Sequence, residues 1–123
     1  MILGLDVSTN ITGHTIMDHE GKIIRCDVWD IRNKNKYKNH FDKANFIKDG
    51  LCLIKAQLPV QHIYIEQPFM FFNSSGSSAR TMASLQKFNG VVSWLCYDIF
   101  NITPKYLTAG EARKLCGIKV PRG

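Results

Sequence analysis

No apolar run in this chain approaches the roughly 20 residues that a membrane-crossing helix requires. The opening stretch, Met1 to Asp6, lacks the basic start and long apolar centre of a secretory signal. A cytosolic protein with no membrane partner is expected. There is no C-x-x-C pair: Cys26, Cys52, Cys96 and Cys116 lie far apart, each among apolar neighbours. Free thiols in such settings behave as small buried hydrophobes, so zinc sites and disulfides are not expected. His14, His19, His40 and His62 show no metal-ligand spacing either. No internal repeat and no long linker divides the 123 residues, so one domain with a proper core is expected.

Acidic residues are scarce, 10 against 16 Lys and Arg, for a net charge of +6. The excess is uneven. Arg32 to Lys55 holds seven basic residues against Asp42 and Asp49, and Lys105 to Arg122 holds five against Glu111. Such runs are either a solvated surface or a polyanion-binding face, since lysines and arginines gain affinity by releasing counterions from phosphates.

The periodicity predicts a buried first strand over 1–7, a second over 11–17 and a third over 22–31, with Gly21 closing a tight turn between the last two. Residues 32–39 read as a polar loop. Phe41, Ala44, Ile47, Leu51, Ile54 and Leu58 follow helical spacing, which predicts a helix over 40–58 ended by Pro59. A fourth strand follows over 62–66, and residues 73–78 form a small, polar stretch. A long helix is expected over 79–100, with Gly90 marking a close helix contact. Residues 102–107 predict a fifth strand. Thr108 and Glu111 then form a capping box for a short helix to Cys116, stopped by Gly117. The order β-β-β-α-β-α-β-α describes a three-layer α/β fold with a mixed sheet.

Two acids stand out against this frame. Asp6 closes the apolar run Ile2-Leu3-Gly4-Leu5, and Glu66 closes Ile63-Tyr64-Ile65. A carboxylate at a buried strand end is costly to desolvate and usually has a partner or a metal. Strand C-termini are also where open α/β sheets gather their sites. Hard cations such as Mg²⁺ or Mn²⁺ prefer such oxygen ligands. The plainer reading of each is a capped or ion-paired acid.

The order of elements, with Asp6 on strand one and Glu66 on strand four, resembles the ribonuclease H-like nuclease superfamily. Ile2-Leu3-Gly4-Leu5-Asp6 followed by Ser8, Thr9 and Thr12-Gly13 resembles the opening motif of RuvC-like Holliday junction resolvases, in their phage and bacterial branch. Ile65-Glu66-Gln67-Pro68-Phe69 resembles their second acidic motif. Leu85-Gln86 with Gly90-Val91 resembles their long helix, and Thr108-Ala109 to Gly117-Ile118 the segment after strand five. The resemblance implies a structure-specific endonuclease that cuts four-way or branched DNA. Four carboxylates would hold two Mg²⁺ or Mn²⁺ ions, with Asp6 shared between them and Glu66 on one. The family's last two acids lie on a later helix, in an arrangement like D-x-x-D. Asp27, Asp30 and Asp98 do not match those positions, and the chain ends at Gly123. The expectation is one ribonuclease H-like domain over 1–123 that lacks its last helix and cleaves junctions weakly or not at all.

The resemblance also implies DNA contacts. Phe69 is the expected aromatic at the junction centre, whereas Phe71 and Phe72 read as core. Ser74 and Ser75, with Ser77 and Ser78, are either a phosphate-binding loop or only a cap for the long helix. Arg80 and Lys87, seven apart, either continue a phosphate track or are solvated. A homodimer through the helix over 79–100 is implied, with Met82, Leu85, Phe88 and Val92 as a candidate face; the same residues could instead pack on their own sheet. The alternatives are an actin-like or sugar-kinase ATP-binding fragment, a junction-binding domain without catalysis, and a nuclease acting on RNA-containing substrates. The location implied is the cytoplasm of a bacterial or phage-infected cell.

Overall fold

Alternating and helical periodicities become a five-stranded mixed sheet with both described helices on one face. The computed structural model describes residues 1–67, 76–108 and 111, with backbone only at 76–78. Its elements are β1 (Ile2–Asp6), β2 (Ile11–Met17), β3 (Ile23–Asp30), α1 (His40–Gln57), β4 (His62–Glu66), α2 (Gly76–Phe100) and β5 (Lys105–Leu107). The sheet order is β3-β2-β1-β4-β5. β1, β2 and β3 form an antiparallel meander, and β1–β4 and β4–β5 pair in parallel. Gly21 takes φ +86° at the tight turn, where a side chain would be strained.

Strand alternation sorts side chains cleanly by face. Leu3, Leu5, Ile16, Ile63 and Ile65 point toward the helices, and each is 3% exposed or less. They pack with Ala44, Ile47, Leu51 and Ile54 of α1 and with Phe88, Val92, Leu95, Cys96 and Ile99 of α2 in one core. Fully burying aliphatic side chains of this size stabilises by about 1.5–3 kcal/mol each, and this term holds the helices to the sheet.

The helices are capped as their sequences suggest. Asn39 precedes α1, and its side chain accepts from the Asp42 amide at 2.9 Å. Lys55 Nζ donates to the Ile99 carbonyl at 2.6 Å, satisfying a carbonyl in the last turn of α2. Asn101 stops α2 with φ 56° and donates its amide to the Tyr97 carbonyl at 2.8 Å. The capping box after β5 is also present. Thr108 donates its amide and its hydroxyl to Glu111 Oε1 at 3.3 and 3.0 Å, and the Glu111 amide donates back to Thr108 Oγ1 at 3.2 Å. The helix expected beyond it, with Cys116 and Gly117, lies outside the described residues.

Two expectations are corrected here. Cys96 is buried, and burial pushes its thiol up to about 12, but Cys26 and Cys52 are exposed free thiols. Apolar neighbours in sequence did not mean burial. Cys26 turns to the uncovered face of β3, and Cys52 sits one residue beyond the buried Leu51 on α1. Gly90 makes no close contact, since a Cβ there would meet no atom within 4 Å. Gly50 does that work instead. A Cβ there would lie 2.5–2.7 Å from the Trp29 indole, so only glycine lets α1 lie this close to β3.

Candidate nucleic-acid and metal site

β1 and β4 run parallel and adjacent, with Leu5 paired to Ile65, so Asp6 and Glu66 follow at neighbouring strand ends. Both turn away from the helices. They line one cleft of about 290 Å³ on the uncovered face, together with Gly4, Gly13, Thr15 and Tyr64. Asp6 is exposed and Glu66 is half-buried. Adjacent strands lie roughly 5 Å apart, so the two carboxylates sit within reach of one shared cation.

Glycine shapes the floor. Gly13 is the antiparallel partner of Asp6, and a Cβ built on it would touch the Asp6 Cβ at 3.9 Å. Gly4 lies further along the same face. Larger residues at either position would fill the cleft beside the carboxylate.

The loop after Asp6 is pinned by its own side chains. The Ser8 amide donates to Thr12 Oγ1 at 3.2 Å, and Thr12 Oγ1 donates to the Ser8 carbonyl at 2.8 Å. Lys43 Nζ donates to the Thr9 carbonyl from α1. Lys43 and Lys55 therefore spend their charge on carbonyls inside the fold. On the other strand, Asn89 Nδ2 of α2 donates to the Glu66 carbonyl at 3.4 Å, and the Gln67 amide donates to the Leu107 carbonyl at 2.7 Å. Asn89 is itself buried, and its carbonyl accepts from Ser93 Oγ at 2.7 Å. Asn89 had not been singled out. A polar residue next to Phe88, on a helix side otherwise filled by Val92, Leu95 and Ile99, was the available signal.

His14 of β2 also borders the cleft. It is 6% exposed, stacks on Trp29 with ring centroids 4.2 Å apart, and its Nδ1 has no hydrogen-bond partner. Burial is the main cause holding its pKa below the usual histidine value; the Asp27 charge opposes this and Arg25 adds to it.

As a cation site, the cleft offers Asp6 and Glu66 as hard oxygen ligands, which suits Mg²⁺ or Mn²⁺; Asp27 of β3 also lines it. Among the described residues no group of three or more His, Cys, Asp or Glu side chains converges. Asp30 is committed elsewhere: the Arg32 guanidinium hydrogen-bonds it at 2.7 Å and holds its carboxyl down to about 2. Asp98 is exposed on α2.

The other candidates divide. Arg80 and Lys87 are exposed on α2, but neither lines the cleft. Phe69, Ser74 and Ser75 lie outside the described residues. Phe88 and Val92, offered as a dimer face, are fully buried against the chain's own sheet.

Two solved structures share this fold. Thermus thermophilus RuvC in complex with a Holliday junction substrate aligns with a TM-score of 0.65, covering 99% of this chain and 82% of that one. The fold is that of RuvC. A second Thermus thermophilus RuvC structure aligns at 0.59, covering 99% and 84%. Sequence identity to each is 11%. No family model matches the chain, and no curated protein matches its sequence. No helix among the described residues is long and apolar enough to cross a membrane.

Proposed function

We propose that the protein is a divalent-metal-dependent endodeoxyribonuclease acting on four-way or branched DNA, working as a homodimer through α2. The observation that carries this reading is the placement of Asp6 and Glu66 at the ends of two paired parallel strands, lining one open cleft. The RuvC-like fold supports it. Bound Mg²⁺ or Mn²⁺ would supply charge neutralisation and Lewis acidity at a scissile phosphodiester. Asp6 and Glu66 hold the cations, Gly4 and Gly13 leave room for a phosphate backbone, and Asn89 fixes the strand end that carries Glu66. Phe69, next to this strand end in sequence, is the proposed base-stacking contact.

A second reading is favoured by one observation: two carboxylates, without a third ligand among the described residues, fit binding better than turnover. On that reading the chain recognises junctions without cutting them.

A gel assay on a labelled four-way junction and a matched linear duplex, with Mn²⁺ or with chelator, separates the two. Metal-dependent nicking that vanishes in Asp6→Asn is expected for the nuclease. Junction-selective binding without nicking supports the second reading. Equal affinity for junction and duplex refutes both.

A further inference from the structure

Lysine is unevenly placed about the sheet. The C-terminal ends of β1, β3 and β4 lie together with the start of β2, since Asp6 pairs with Gly13, Ile11 with Asp30 and Leu5 with Ile65. This is the end that carries Asp6 and Glu66. The chain leaves β3 there into residues 32–39. The Ile31 amide donates to the Asn10 carbonyl at 2.9 Å, so this segment emerges beside the turn that follows Asp6. It holds Arg32, Lys34, Lys36 and Lys38 and no acid. Arg32 is neutralised by Asp30. Lys34, Lys36 and Lys38 are exposed and form no ion pair among the described residues. At the opposite end, the turn from β2 to β3 carries Asp18 and Glu20 against Lys22. The uneven charge of the sequence thus becomes a cationic rim at the carboxylate end.

The rim is also held in shape. The Asn33 side chain accepts from the Asn35 amide at 2.9 Å and the Lys36 amide at 3.2 Å, and the Asn33 carbonyl accepts from the Tyr37 amide at 2.8 Å. The Asp42 carboxylate accepts from the Lys38 amide at 3.0 Å. Tyr37 is buried against Phe46, and Lys36 Nζ lies 5.5 Å from the Tyr37 ring centre. A loop already ordered loses little backbone freedom when its lysines meet phosphates. With its one aromatic turned inward, it has no ring left for a base to stack on. What it offers is charge and amide donors, which position a nucleic-acid backbone without reading sequence. Two strand spacings, roughly 10 Å, separate β3 from β1. A duplex strand covers that distance in about three phosphates, at roughly 3.4 Å of axis each. We propose that the loop over 32–39 holds the backbone of a duplex arm through Lys34, Lys36 and Lys38, about three to five phosphates from the one at Asp6 and Glu66. This rests on the junction reading above and adds the path of one arm, over the β3 side of the cleft.

The test uses the whole chain, with a labelled four-way junction and a matched linear duplex titrated in chelator at graded NaCl. Each phosphate contact adds about 0.9 to the slope of log K against log salt. Lys34→Ala, Lys36→Ala and Lys38→Ala together should therefore lower that slope by roughly two to three, and weaken binding at 0.1 M salt about a hundredfold. The loss should be alike on junction and duplex, because an arm is ordinary duplex. Lys22→Ala, at the far end of the sheet, should leave slope and affinity unchanged. Methylphosphonates, which remove the backbone charge, placed at about the third to fifth phosphates from the crossover should weaken the unaltered protein and have little further effect on the triple variant. A triple variant with the original slope and affinity overturns the loop contact and leaves the junction reading intact. A lowered slope with methylphosphonates there acting equally on both proteins overturns the path of the arm. Failure of the unaltered chain to bind either DNA overturns both the loop contact and the junction reading.

Discussion

Adding a divalent cation should raise the melting temperature of this protein through Asp6 and Glu66. The two carboxylates close paired strands roughly 5 Å apart. Two unit charges at that separation repel by about 0.8 kcal/mol in bulk water and about 3 kcal/mol at the effective dielectric of a partly shielded surface. Asp6 is exposed, which places the pair toward the lower figure. A cation that binds the folded chain alone stabilises it by RT ln(1 + [L]/Kd), about 1.4 kcal/mol at ten times Kd. For a chain of this length that corresponds to a rise of roughly 4–7 °C. Thermal melts in Mn²⁺ or Mg²⁺, against NaCl of equal ionic strength, measure the shift. Asp6→Asn and Glu66→Gln should flatten it, whereas Asp49→Asn, on α1, should leave it in place. A rise that survives both carboxylate changes would mean that the ion binds elsewhere. No rise at 20 mM, roughly twenty times the weakest calcium-site Kd values, would refute the site itself.

Two further outcomes follow from the packing. Gly50→Ala should destabilise by about 1–2 kcal/mol in urea titration, although alanine is the better helix former by roughly 1 kcal/mol, because a Cβ 2.5 Å from the Trp29 indole must be accommodated by overpacking; a stabilised variant would contradict this contact. Acid should weaken the fold through His14: its folded pKa is lowered, so below about pH 6.5 the unfolded chain takes up a proton that the folded chain resists, and stability falls as pH drops through that range. His14→Leu should reduce the slope of the urea midpoint between pH 7 and pH 5, and an unchanged slope would assign the effect to other groups.

Much of the architecture was readable because strand and helix periods are local. β2 and β4 fall where alternation and their turn residues place them. β5 is shorter than expected because Asn101 and Pro104 first have to turn the chain out of α2, and Pro104 has no amide to give a ladder. α2 begins three residues earlier, at Gly76, since Ser and Gly suit a helix start as well as a loop. What was not readable depends on orientation. Cys26 and Cys52 share their sequence neighbourhoods with core residues, yet alternate residues of a strand face opposite ways and adjacent residues of a helix diverge by about 100°. Gly50 and Gly90 look alike in sequence, and only the approach of Trp29 tells them apart. The candidate site was legible as two strand ends. That those ends are neighbours follows from the parallel pairing of β1 with β4, a contact across sixty positions that no local pattern encodes.

That pairing also explains how a stable fold fixes a polar site. Leu3 and Leu5 alternate with Gly4 and Asp6, and Ile63 and Ile65 with Tyr64 and Glu66. Slipping β4 by one residue would turn Ile63 and Ile65 out of the core, at about 1.5–3 kcal/mol each, and would drive Glu66 toward the helices, where a buried carboxylate costs more still. The register that brings the two carboxylates together is thus enforced from the opposite face, by residues that never touch the cleft. Such enforcement asks only for apolar side chains of suitable volume at alternate positions, a requirement many sequences meet. An 11% identity to the RuvC structures is therefore compatible with the same sheet. Because the core sets the register and the acids follow it, substitutions at Asp6 or Glu66 should disturb the chemistry of the cleft while leaving the fold that holds them in place.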